Sequence, residues 1–321
     1  MQPVLRPALS VVVPVYGNAG SIQPLVEALR GIARQVEGGF EAVFVVDGSP
    51  DESHALLAQA LPAAGFPARL VELTRNFGAF PAIRVGLERA RGAVIAVMAA
   101  DLQEPPGLAL GFLEALRDGR ADVAFGVRDG RQDPPVGKLL SSVFWALYRG
   151  LVMPDIPRGG VDVFAITADF RDRLLALREA NTSLLAQLFW LGGRRVFLPY
   201  LRQRRRAGFG RSAWTLGKKL RYFSDSVFAF SDLPVRILFL AGAVAMGTAL
   251  LGGAAVVAAR VSGWVTVPGY TPTVLAILFF GALNMLGLGV VGSYAWRAFE
   301  NTKARPLALV HSEATFEGGT P

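Results

Sequence analysis

Val94-Ile-Ala-Val-Met-Ala-Ala-Asp-Leu-Gln-Glu-Pro-Pro106 is the stretch from which the fold is read. An apolar run stops there at one carboxylate, Asp101, with a polar amide, Gln103, two residues on. Opened by Gly92 and closed by a proline pair, a run of this length fits a parallel strand covered on both faces. In open parallel sheets ligands sit beyond the carboxyl ends of strands, which puts Asp101 and Gln103 where a substrate would lie. Oxygen ligands at that edge suit a hard divalent cation, Mg or Mn, able to hold a diphosphate. The competing reading makes Asp101 the N-cap of a helix that begins near Pro106.

Working outward, the same pattern recurs. Leu9 to Val15 reads as a strand from its β-branched run, with Pro14 at its end, where it leaves the ladder. Tyr16, Gly17 and Asn18 turn the chain into a helix from about Ile22 to Gln35, with Ser21 as N-cap. Phe40 to Val46 is a second strand, closed by Asp47-Gly48-Ser49-Pro50-Asp51, a turn signature that again puts a carboxylate at a strand's carboxyl end. Arg69 to Leu73 is a third strand, leading through Thr74-Arg75-Asn76-Phe77-Gly78 to a helix from about Pro81 to Ala90. A helix at Gly107 to Arg117 and a strand at Val123 to Val127 follow. Strands alternating with helices at this spacing indicate a doubly wound α/β domain whose strand ends converge on one cleft.

Past Val127 the pattern thins to a polar loop, an amphipathic helix at Val136 to Leu151 and a short strand at Val161 to Ile166. That strand carries Asp162 in an apolar setting, where an unpaired carboxylate is costly, so it should meet a cation or face the cleft; the alternative is a solvent-facing edge position.

The 321 residues are 52% hydrophobic, more than one core needs. Ile237 to Ala259 and Thr271 to Trp296 carry no charge. At about 1.5 Å per residue each exceeds the roughly 30 Å hydrocarbon core, so two membrane helices are expected. Met1 to Arg6 lead directly into a strand, so no signal peptide is expected and the N-terminal domain should lie in the cytosol. Arginines and lysines crowd the two outer flanks, whereas the hairpin between the spans holds Arg260 alone. Both termini are therefore expected on the cytoplasmic side of the plasma membrane. The net charge of +8 is concentrated largely in this belt, which favours anionic lipid over nucleic acid as partner, and no base-reading module is visible. Trp214 to Phe230 mixes cations with aromatics as an interfacial segment does. Ala243 and Gly247, Thr248 and Gly252, and Gly289 and Ser293 form small-residue pairs suited to helix packing. Cysteine is absent and there are two histidines, which excludes thiol chemistry and a histidine metal cluster. Gly287 to Gly292 has the spacing of a dinucleotide-binding loop, but no strand precedes it.

Taken in order, Val11 to Tyr16, Val45 to Asp51, Arg75 to Gly78, Ala100 to Pro106 and Gly210 to Trp214 resemble the inverting family 2 glycosyltransferases of GT-A fold, most closely the polyisoprenyl-phosphate branch. The resemblance implies a catalytic domain over residues 1–200, a basic juxtamembrane segment over 201–233, a transmembrane hairpin over 234–298 and a cytoplasmic tail over 299–321. It implies transfer of a sugar from a nucleotide donor to a polyisoprenyl phosphate. Carried over by motif, Pro14, Tyr16, Asn18, Asp47, Arg75 and Ala100 would bind the nucleotide, and Asp101 and Gln103 the metal. Asp162, with Asp101, would serve the reacting centre. Arg128, Arg131, Arg205, Arg206, Arg211 and Ser212 would hold phosphates and acceptor. The chain departs from the family pattern in Asn18 for a frequent Glu, in Val46 for the first Asp of a pair, and in Ala99 for the first carboxylate of Asp-x-Asp. A transferase acting on a soluble or growing glycan and a non-catalytic nucleotide-sugar-binding scaffold are the alternative readings, and assembly with copies of itself is compatible with either.

Overall fold

The computed structural model describes residues 6–129, 146, 149–150, 153–157, 161–179, 182–203, 224–228, 231, 233–263 and 269–318, with Asp162 described by its backbone alone. The expected doubly wound domain is present. β1 (Leu9–Val15), β2 (Phe40–Val46), β3 (Ala68–Leu73) and β4 (Val94–Val97) run parallel, and β5 (Val123–Arg128) and β7 (Arg195–Tyr200) pair parallel to each other. β6 (Val161–Thr167) lies antiparallel between β4 and β5, and β8 (Val310–Phe316) antiparallel along β3. The eight strands lie in the order β7-β5-β6-β4-β1-β2-β3-β8.

Strand alternation sorts the core into two layers. Val11, Val13 and Val15 join Phe44 and Val46 on one face; Val12 joins Val43 and Val45 on the other. α1 (Ile22–Ala33), α2 (Ser53–Ala60) and α4 (Gly107–Arg117) cover the first face through Leu25, Leu57 and Phe112. α3 (Ala79–Arg89), α5 (Ala168–Ala176) and α6 (Leu184–Trp190) cover the second through Ala82, Phe170 and Leu188. At about 1.5–3 kcal/mol per buried large side chain, these layers supply the main drive to fold. α3 sits close to the sheet because Gly86 lacks a side chain: a Cβ there would lie 2.3 Å from Val12 Cγ1.

Several sequence readings shift in detail. Ser21 does precede α1, yet its hydroxyl donates to Asn18 O and caps nothing. α4 has Pro106 at its N-cap position, which removes the reading of Asp101 as a cap. α2, α5, α6, β7 and β8 were not foreseen. Pro14 does not end β1 but pairs in register with Val45. Its missing N–H faces β4, whose ladder with β1 stops at Val12↔Val97, so no bond is lost.

α7 (Leu233–Val261) and α8 (Tyr270–Thr302) follow the domain. Of the two expected spans, the second, Thr271 to Trp296, overlaps Phe279–Thr302, which is long and apolar enough to cross a membrane; among the described residues the apolar stretch found in α7 is Leu233–Ala245. A Cβ at Gly247, Gly252 or Gly289 would meet nothing within 4 Å, whereas one at Gly287 would lie 3.4 Å from Leu238. Gly287 to Gly292 lies inside α8, away from any strand. Of the expected interfacial segment, residues 224–228 are described. Asp225 pairs with Arg297 at 2.8 Å, and Phe228 meets Tyr294 edge-on, so this short helix leans on the last turns of α8. The expected amphipathic helix at Val136 to Leu151 lies mostly outside the described residues. Most unexpected is β8: the segment expected as a tail returns to the sheet as its edge strand, fixed by Glu313 against Arg69 and Arg89.

Candidate active site

The order of strands reverses at β1, with β2 and β3 on one side and β4 on the other, and a ligand crevice forms at the carboxyl edge of such a switch point. The loops leaving β1, β2 and β3 are tied together there. Asp47, 3% exposed, accepts from Phe77 N at 2.7 Å through one oxygen and from Gly78 N at 2.8 Å through the other. It clamps the Arg75–Gly78 loop, so its contribution to a nucleoside site is through that loop. Gly48 makes the clamp possible: it has φ +54, and a Cβ would stand 2.3 Å from the Arg75 carbonyl carbon. Asp51 accepts from Ser49 Oγ, Ser53 N and Ala19 N, and Ser49 Oγ accepts in turn from Gly17 N. Burial pushes the Asp51 carboxyl up, but the bonds from Ser49, Ser53 and Ala19 outweigh it, and the net shift is downward.

On this scaffold Tyr16 stands exposed, its N–H donating to Asn18 Oδ1 at 3.0 Å. Arg75 lies over the Phe77 ring at 4.1 Å, also exposed. The two present an aromatic and a cationic surface suited to a nucleotide. Asn18 shapes the turn, with its own N–H donating to Ser53 Oγ. The Ala100 side chain is buried in the core, so a contact of Ala100 with a nucleotide would be made by its backbone.

Across the crevice, the turn after β4 carries Asp101 and Gln103. Asp101 is 8% exposed, and its Oδ1 accepts from Gln103 N at 3.3 Å. Between them Leu102 has φ +54, a left-handed conformation that a branched residue adopts at a cost and that typically marks a functional turn. Gln103 Oε1, expected as a metal ligand, accepts from the Arg202 guanidinium at 2.6 Å, while Gln103 O accepts from Gln203 N at 2.8 Å. As chemistry the turn fits Mg or Mn, because it offers a carboxylate and an amide oxygen and substrate phosphates can complete the shell. Among the described residues no three His, Cys, Asp or Glu gather, in keeping with Ala99 in place of a carboxylate.

β6 runs antiparallel to β4, so the backbone of Asp162 lies at this same edge, and Arg128 ends β5 two strands from β4. Arg131, Arg205, Arg206, Arg211 and Ser212 lie outside the described residues. Two participants escaped the sequence reading. Arg202 was counted in a membrane-facing charge belt, and only the pairing of β7 with β5 delivers it to the β4 loop. Thr74 N donates to Leu309 O at 3.0 Å, which joins the start of β8 to the foot of the Arg75–Gly78 loop.

The Glycosyl transferase family 2 model matches residues 10–187, which take in the crevice and every strand from β1 to β6. An uncharacterized glycosyltransferase of Bacillus subtilis (strain 168), YkcC, is 30% identical over 309 residues, 96% of this chain and 94% of its own. A prophage bactoprenol glucosyl transferase homolog of Escherichia coli (strain K12) is 28% identical over 307 residues, 94% of this chain and 98% of its own. Among solved structures, the mannosyltransferase PcManGT of Pyrobaculum calidifontis, in complex with GDP-Man and Mn2+, aligns over 89% of this chain and 88% of its own at 18% identity and a TM-score of 0.44. With its family model covering more than half the chain, the protein belongs to glycosyl transferase family 2 and is a glycosyltransferase.

Proposed function

We propose that the protein transfers a sugar, with inversion, from a nucleotide-sugar donor to a polyisoprenyl phosphate at the cytoplasmic face of the membrane. The observation that carries this reading is the path of α8 into β8. Seven residues, 303–309, separate the end of α8 from β8, which enters the sheet beside the carboxyl end of β3, where the donor loop begins. Such a link spans at most about 28 Å, so an anchored α8 keeps the crevice at the lipid surface. Leu233, at the start of α7, and Ala308 pack against the same core layer, which ties both ends of the hairpin to the domain. Phe239 (78% exposed) and Met285 (69%) belong to an apolar surface on α7 and α8 that suits lipid better than water. The naming of relatives as bactoprenol glucosyl transferases over nearly their whole length supports the same acceptor class.

In this reading Tyr16 and Asn18, on the turn held by Ser49, Asp51 and Ser53, and Arg75, on the loop held by Asp47, take the nucleoside, and Asp101 and Gln103 face the diphosphate. Mg or Mn, when bound there, neutralises the departing diphosphate. Arg128, with Arg131, Arg205, Arg206, Arg211 and Ser212, holds phosphate oxygens. The acceptor monoester, with a second pKa of about 6, is mostly dianionic at pH 7 and attacks without giving up a proton. Asp162 therefore positions the acceptor and stabilises positive charge developing on the sugar; it is not needed as a base. The test is incubation of the purified protein with undecaprenyl phosphate and a panel of labelled nucleotide sugars. Label in an organic-extractable, acid-labile product is expected. Label in water-soluble glycan alone would move the acceptor to that class, and no turnover with any donor would leave a binding scaffold.

A further inference from the structure

The cation that faces Gln103 in this structure is a side chain. Gln103 Oε1 accepts from Arg202 at 2.6 Å and Nε2 donates to Gln203 O at 3.3 Å, a pattern that fixes which amide atom is the oxygen. A third bond, Gln203 N to Gln103 O at 2.8 Å, completes a strap between the β4 turn and the residues after β7. Leu102, with its left-handed backbone, precedes Gln103 in this turn, and just before the strap Asp129 N donates to Tyr200 O at 2.8 Å. Mg or Mn binds an oxygen ligand at about 2.1 Å. A metal ion on Gln103 Oε1 would thus lie inside the hydrogen-bonding shell that Arg202 fills, with like charges face to face.

We propose that Arg202 and the divalent cation are alternative occupants of Gln103, so that Arg202 is the resident cation of the donor-free site and is displaced when donor and metal load. The inference rests on the metal reading of Asp101 and Gln103 above. It gives Gln103 two partners in turn, and it makes donor loading break the side-chain half of the strap while the Gln203–Gln103 backbone bond stays. Arg202, leaving Gln103, then turns its charge toward the diphosphate. Ala99 sharpens the competition. Ala99 adds no carboxylate to Asp101, so the metal would be held by a single charge there and a guanidinium can compete with it.

The test is Mn2+ binding to the full-length protein, read from the spectrum of free Mn2+, alone and with UDP or GDP present and with no lipid acceptor. Exclusion is a negative coupling, so Arg202→Gln should tighten Mn2+ binding about tenfold, and Arg202→Lys less. Gln103→Ala should weaken it, and in that background Arg202→Gln should have no effect, since the shared ligand is gone. Thermal melting of each variant controls for folding. Unchanged or weaker Mn2+ binding by a folded Arg202→Gln protein would overturn the competition while leaving the metal reading intact. Failure of both wild type and Arg202→Gln to bind Mn2+ with either nucleotide would overturn the two together.

Discussion

At the amino-terminal edge of the sheet, Glu41 on β2 accepts from Ser10 Oγ and Arg91 N, each at 2.6 Å, and Gly92 N donates to Ser10 Oγ at 2.7 Å. Nearby, the Arg194 guanidinium and backbone hold the Asp122 carboxyl below its usual range. These groups spend their hydrogen bonds on one another, with the Arg91 and Arg194 side chains left partly in solvent. At the carboxyl edge, Asp47, Asp51 and Gln103 bond to neighbouring loops, mostly to their backbone N–H groups, and so hold Tyr16, Arg75 and Arg202 facing solvent. Both edges bury carboxylates; one closes the fold, and the other organises a surface.

Substitutions matched across the two edges can break that contrast. The largest effect is expected from Asp47→Ala, which strips the acceptor from two part-buried amides at about 1–3 kcal/mol each and frees the donor loop. Donor KM should rise by at least about tenfold, roughly 1.4 kcal/mol of binding. A donor KM within twofold of wild type would show the clamp to be scaffold only, and the contrast would collapse. Glu41→Ala should cost about 2 kcal/mol of unfolding free energy in denaturant titration, below the usual figure for a broken buried pair because the Arg91 side chain is half exposed. Its donor KM should not move.

A smaller change sharpens the picture on the carboxyl side alone. Ala99→Asp restores a second carboxylate at a partly exposed position and should tighten Mn2+ binding about tenfold. Smallest is the pH effect at β8. Burial raises the Glu313 carboxyl, but bonds and charge from Arg89 and Arg69 lower it further, leaving a net depression from 4.5. A depressed carboxyl stabilises the fold above its unfolded pKa and loses that contribution as pH falls through the folded value. The stability gap between wild type and Glu313→Gln should therefore be below about 1 kcal/mol at pH 7, given partial exposure, and should shrink as pH falls below 4.5. A gap that does not narrow on acidification would mean the ion pairs are not its source.

What could be read from sequence was whatever is local. β1, β2 and β4 announce themselves as apolar runs ending in turns, and the clustering of their ends on one crevice follows from parallel strands. β8 was invisible because Val310 to Phe316 carries His, Ser, Glu and Thr, is exposed along nearly its whole length, and pairs with a strand some 240 residues away. An edge strand with no buried face has no period to detect. Gln103 was legible as a site residue but not in its partner, since Arg202 reaches it through β7, which lacks a clean alternation. The buried Arg84, bonded to the Leu175 and Leu177 carbonyls at the carboxyl end of α5 and with its pKa lowered by burial, was hidden for the same reason.

The return of β8 also sets a timetable for synthesis. β3 cannot gain its outer partner until residues up to Phe316 have left the ribosome; Glu313, the ion-pair partner of Arg69, is made 244 residues after it. At about 5–20 residues per second this leaves an unpaired strand edge for roughly 10 to 50 s, during which α7 and α8 must also find their place. An open edge of that kind is a template for pairing with other chains. The nascent domain therefore depends on being shielded until its last strand arrives, and any message cut short before codon 310 yields a product whose sheet stays open.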